Sequence, residues 1–291
     1  MSSSKEFSPM SPSKPQLSLP GEQPRHSSTL MRALNRFTGG LSVGVRNPMA
    51  DKYGAAYDHL VSGDACRYRE DIETAIDHYQ QALSIREDMG EAWVGIAKCL
   101  KRKGDVMGAI NNFKKALQRN SFDKDVQLEI AKCYSECGYL VKASQHYERA
   151  MKLDPGCIEG MFGLALVVEI NNDIDYAISL YERILTLDAE FLPAYNNLGS
   201  LYMRLGQYLK AEELFRQLIQ KAPDFTRGYL GLAIALDKAG KRGESLETYH
   251  EVLRMKPNTR NASFIKKRIV QINMDMGKSR STGRTTLVRI K

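Results

Sequence analysis

Residues 192–223 read LPAYNNLGSLYMRLGQYLKAEELFRQLIQKAP. Tyr195, Leu198, Gly199 and Tyr202 recur at the spacing of one helical face. Gly206 then offers the left-handed residue that satisfies a helix's last carbonyls, and Pro223 marks the boundary after a second helix, where a lost amide does least harm. The stretch predicts two short helices joined by a tight turn.

The same pattern surrounds it on both sides. Counted from Ala56, Gly90, Lys124, Ile158, Leu192 and Thr226, the chain aligns with itself at a period of about 34 residues, with no insertion or deletion. The eighth position reads Gly63, Ala97, Ala131, Ala165, Gly199, Ala233; the twentieth reads Ala75, Ala109, Ala143, Ala177, Ala211, Ser245. The twenty-fourth is aromatic throughout: Tyr79, Phe113, Tyr147, Tyr181, Phe215, Tyr249. Helix packing accounts for these columns, because a small residue lets a neighbouring backbone approach and an aromatic one turn away fills the groove so made. Gly104, Gly138, Gly206 and Gly240 end the first helix of their units, with Asn172 standing in for glycine in unit 4 and Glu70 in unit 1.

In period and in column identities the stretch from Ala56 to Thr259 resembles the tetratricopeptide repeat family. Unit 5 carries the resemblance best; unit 1 departs most, with His59, Ser62 and Cys66 where larger or apolar residues are expected, so its first helix is expected to be irregular or to act as an N-terminal cap. The resemblance implies an all-α fold: a right-handed superhelical solenoid of six helix-turn-helix units over residues 51–259. Residues 260–276 are expected to form a capping helix, with Phe264, Ile265, Ile269 and Ile272 toward the last repeat and Lys266, Lys267 and Arg268 more outward.

The two ends differ from this middle. The net charge of +8 divides into +4 over residues 1–50, +8 over 260–291 and −4 between them. Residues 1–50 read as a Ser- and Pro-rich arm in which Leu30, Leu34 and Phe37 share one face of a short amphipathic helix over 29–37. Residues 277–291 read as a basic flexible tail. No apolar run approaches the roughly 20 residues needed to span a bilayer and no secretory pattern opens the chain, so a cytoplasmic location is expected. Five cysteines in such a chain point to reduced, packed thiols.

Catalytic and cofactor signals fail one by one. Gly277-Lys278-Ser279 lacks the glycine five residues earlier that a phosphate loop needs, and Asn171, Asp173 and Asp175 lack the sixth-position glycine of a calcium loop. Cys133 and Cys137 have no second ligand pair at zinc spacing. No enzyme, metal, cofactor or small-molecule substrate is expected.

The resemblance implies that the first helix of each unit lines the concave side. The inward positions then hold Lys98 and Lys101 in unit 2, Leu128 and Lys132 in unit 3, and Phe162 and Leu166 in unit 4. Asn196 and Ser200 follow in unit 5, and Arg227, Leu230 and Ile234 in unit 6. This is an apolar middle with basic groups toward one end, and it predicts a scaffold or adaptor for a protein or peptide with apolar anchors and an acidic flank, its backbone held by Asn196. The Lys, Asn and Arg set with which some family members clamp a terminal carboxylate is missing, since Ser200 and Gly231 stand where donors are required. The alternative is a tether to an anionic membrane, or less readily to nucleic acid, through the basic arms.

Overall fold

The chain divides into two units, residues 1–50 and 51–291. The structure, a computed structural model, describes residues 48–121 and 123–287, with side chains from 53 to 277 in that range. The amphipathic stretch at 29–37 and the rest of the N-terminal arm before residue 48 lie outside the described residues.

Among the described residues there are thirteen helices and no strand: α1 Pro48–Tyr68, α2 Ile72–Ile85, α3 Gly90–Arg102, α4 Val106–Arg119, α5 Lys124–Glu136, α6 Leu140–Leu153, α7 Ile158–Ile170, α8 Ile174–Leu187, α9 Leu192–Arg204, α10 Tyr208–Lys221, α11 Thr226–Lys238, α12 Arg242–Met255 and α13 Ala262–Leu287. The odd-numbered helices α3 to α11 start at the residues from which the repeat was counted. Helix α1 is uninterrupted and begins upstream of Ala56, with Pro48 as its first residue, where the missing amide is harmless. The first helix of unit 1 is thus regular in spite of its unusual residues.

The turn chemistry follows the sequence. Positive φ occurs at Gly104, Gly138, Gly206 and Gly240, and among non-glycine residues at Glu70 (66°) and Asn172 (63°). At each turn the next amide reaches back into the helix, as in Asp105 N–H to Leu100 O at 2.9 Å and Asp71 N–H to Cys66 O at 3.0 Å. Asp71, Asp105 and Asp173 then cap α2, α4 and α8 through their carboxylates.

All three columns are buried. The aromatic of each unit lies against its own eighth position: a Cβ added at Gly63 would sit 2.7 Å from the Tyr79 ring, and one at Gly199 would sit 2.9 Å from that of Phe215. It also reaches the following unit, where a methyl group at Gly95, Gly163 or Gly231 would strike the ring of Tyr79, Tyr147 or Phe215. The stacking contact is therefore ring against backbone, twice over. Nothing in the small–aromatic columns alone revealed the second of these approaches.

At the C-terminal end Ile265, Ile269 and Ile272 of α13 pack on Ala233, Tyr249 and Val252. Three expectations change here. Phe264 is 46% exposed, because it stands one residue off the stripe that the three isoleucines define. Arg268 faces inward, gripping Asp237 with two hydrogen bonds of 2.6 and 2.8 Å, and so ties the cap to unit 6. The helix also continues past Met276 to Leu287, since Gly277 opens no left-handed turn and no proline follows it.

Candidate functional site

The first-helix face has two dissimilar parts. In its N-terminal part Lys101 of α3 lies 3.2 Å from Glu129 and 3.4 Å from Glu136 of α5. Lys132 of α5 in turn lies 2.6 Å from both Glu129 and Glu159, the latter on α7. Burial by itself would push the Glu129 carboxyl up, but Lys101 and Lys132 outweigh it and hold it below the ordinary carboxylate range. Lys132, likewise half-buried, is held above the ordinary lysine value by Glu129 and Glu159 against the opposing effect of burial. The two lysines are fastened to neighbouring units, which removes them as free basic groups for an acidic partner.

Leu128 is also corrected. It is 4% exposed, because Gly160 lets α7 descend until a Cβ there would lie 3.5 Å from the Leu128 side chain. It belongs to the core. Lys98 is exposed and makes no hydrogen bond or ion pair among the described residues. It borders a cavity of about 570 Å³ between α1, α3 and α5 that is lined by six carboxylates and four cations. This end of the face is mildly acidic, opposite in sign to the expectation.

The C-terminal part holds the apolar residues. Phe162 and Leu166 of α7 are half-buried, the Phe162 ring standing edge-on to Phe191 at 5.2 Å and to Tyr181 at 6.0 Å. On α9 the Ser200 hydroxyl donates to the Asn196 carbonyl at 2.7 Å. The Asn196 amide donates to Asn197 Oδ1 at 3.1 Å, and the Asn197 amide donates to the Tyr181 hydroxyl at 3.2 Å. Asn196 Oδ1 and one of its N–H groups remain available. Leu230 and Ile234 of α11 are half-buried above the last cluster, and Arg227 is exposed at the start of the same helix.

Sequence reasoning missed the carboxylate partners Glu129, Glu136 and Glu159, and the 2.9 Å pair between Arg204 and Glu169. Their signal was opposite charges about one period apart, which bring the first helices of successive units into register. Three histidines also have partners. His59 and His78 approach at 3.3 Å through their Nδ1 atoms, and His146 Nδ1 lies 2.7 Å from Gln127 Oε1. Four of the five cysteines are buried and all are free; burial pushes the Cys133 thiol up to about 11. Among the described residues no group of three or more His, Cys, Asp or Glu could hold a metal ion, and no helix is long and apolar enough to cross a membrane. The basic side chains after residue 277 lie outside the described ones.

With this geometry in place, the comparisons agree on its kind. Two family profiles, both described as tetratricopeptide repeat, match the chain, one at residues 125–157 and the other at residues 193–225. A tetratricopeptide repeat protein from Parabacteroides merdae superposes with a TM-score of 0.62 at 18% identity, over 79% of this chain and 94% of that one. The pilF protein of Pseudomonas aeruginosa gives 0.62 at 17% identity, over 75% and 99%. YrrB gives 0.56 at 16% identity, over 65% and 97%. At these identities the likeness is one of fold.

Proposed function

Because this chain is a tetratricopeptide-repeat protein, a fold that serves protein–protein interaction, we propose that it holds an apolar segment of a partner protein across α7, α9 and α11. One observation carries the reading: Phe162 and Leu166 on one side and Leu230 and Ile234 on the other leave apolar surface half-open around Asn196, whose free amide groups can bond an extended backbone. The flank that continues over α5, α3 and α1 meets more carboxylates than cations, so basic rather than acidic residues suit it there. YrrB is described as having an unusual peptide-binding site, which supports a peptide as the kind of ligand.

The test is affinity capture with the full chain, comparing wild type with the double variant Leu166→Asp/Leu230→Asp and with Lys98→Ala. Partners bound by wild type and Lys98→Ala but lost by the double variant, with an unchanged helical spectrum, are the expected result. Equal retention by all three proteins would move the site off this face.

A further inference from the structure

The second helices carry a cleft that the proposed peptide site does not use. It has a volume of about 430 Å³, lies between α4 and α6, and is floored by Tyr134 of α5. Lys114, Lys142 and Arg149 line it, and no carboxylate does. The ammonium groups of Lys114 and Lys142 each stand 5.5 Å from the centre of the Tyr134 ring, so one ring gathers both. None of the three cations has an ion pair among the described residues. His146 stacks on the same ring at 5.6 Å. Burial, with the charges of Arg149 and Lys114, holds its pKa down to about 4, so the imidazole is neutral near pH 7.

The repeat supplies its own controls. At the next junction Glu148 takes the place of Lys114; one further along, Glu182 and Glu213 take those of Lys114 and Gln145. At the last, Glu244, Glu247 and Glu251 replace Lys142, Gln145 and Arg149. Before it, Gln80 and Gly108 stand for Lys114 and Lys142. Three like charges converge at one junction of five, against their mutual repulsion. A nucleic acid or a membrane surface would need cations on neighbouring junctions as well, but the preceding one offers Lys115 alone at these positions and the following ones set Glu148, Glu182 and Glu213 there. A small, highly charged anion would not.

We infer that the cleft between α4 and α6 binds a soluble phosphorylated small molecule, with Lys114, Lys142 and Arg149 neutralising its phosphoryl oxygens and Tyr134 and Leu117 meeting the rest. The ligand is bound, not transformed.

The experiment is calorimetric titration of the full chain with inorganic pyrophosphate at fixed ionic strength in metal-free buffer, with inorganic phosphate as a weaker analogue. Saturable binding of one pyrophosphate is expected, weakened about tenfold or more in Lys142→Gln/Arg149→Gln, in keeping with loss of charge-assisted hydrogen bonds. Lys210→Gln, the equivalent of Lys142 two units on, should leave it unchanged, and circular dichroism should show all three proteins equally folded. No saturable binding, or the same affinity in the double variant, overturns the inference. So does sedimentation with anionic phosphatidylserine vesicles that needs Lys142 and Arg149 when pyrophosphate neither binds nor competes, because the cleft would then serve a membrane surface.

Discussion

At the twentieth position of the six units stand five alanines and a serine, all with no exposed surface. At the ninth stand Asp64, Lys98, Lys132, Leu166, Ser200 and Ile234, which are acidic, basic, polar and apolar by turns. The first set lies where each unit meets a copy of itself, so the same shape is demanded at every step. The second lies on the first-helix face, where no single shape is demanded at every step: Lys132 pairs with Glu159 of the next unit, while Lys98 is exposed. In a solenoid the invariant positions report the fold, and the departures from the repeat are where recognition can reside.

The strongest way to break this comparison is to place a long cation, of the kind that Lys98 and Lys132 bring to the ninth position, in the twentieth column. Ala143→Arg puts a long charge against fully buried neighbours and should destabilise by about 4 kcal/mol or more, combining overpacking with an unpaired buried charge. Lys98→Ala, on the exposed face, should stay within about 0.5 kcal/mol of wild type. Urea denaturation followed by circular dichroism separates the two, and coincident curves would undo the column assignment.

A smaller effect sharpens the contrast between the two parts of the face. Glu129 is held below the ordinary carboxylate range, so the unfolded chain binds more protons there than the folded one. Its contribution is therefore complete above the unfolded carboxylate pKa and is lost as the pH falls through the folded value. Glu129→Gln should cost about 2 kcal/mol at neutral pH, leaving Lys101 and Lys132 each short of a partner. It should also flatten the acid loss of stability. Glu169 has the opposite sign: burial raises its pKa in spite of Arg204, so the folded state takes up its proton first on acidification. Glu169→Gln should accordingly steepen the acid limb. Urea midpoints from pH 7 down to pH 3 test both, and slopes that move in the same direction would refute the assignment.

What the sequence made legible follows the same division. Helix starts at Gly90, Lys124, Ile158, Leu192 and Thr226, and left-handed residues at Glu70 and Asn172, were readable because each occurs at a fixed offset and the period averages out local noise. The face was only partly readable. Leu128 and Phe162 occupy the same repeat position, yet Leu128 is covered because Gly160 admits α7, while Phe162 stays half-open against Phe191. Lys101 and Lys132 looked free because Glu129, Glu136 and Glu159 reach them mostly across units, and the one placement that recurs, Lys101 with Glu136 and Glu169 with Arg204, has its charges reversed. A pair that inverts its charges from one junction to another leaves no column of one residue type to find.

The mildest test returns to the turns, where one repeat position is filled in two non-glycine ways. A left-handed conformation costs an ordinary side chain about 1–2 kcal/mol, part of which glycine gives back through the greater freedom of the unfolded chain. Glu70, with φ of 66° and no side-chain hydrogen bond among the described residues to hold it there, should therefore gain about 0.5–1 kcal/mol on Glu70→Gly. Asn172 sits at 63°, but asparagine tolerates this region, so Asn172→Gly should change stability by less than about 0.5 kcal/mol. Trp93, the one tryptophan of the chain, packs where the clusters of units 1 and 2 meet the central core, so its fluorescence reports the first turn selectively. Hydrogen exchange across α7 and α8 reports the second. A larger gain at Asn172 than at Glu70 would mean that the first turn is relaxed by the fraying of α1 and not strained by its side chain.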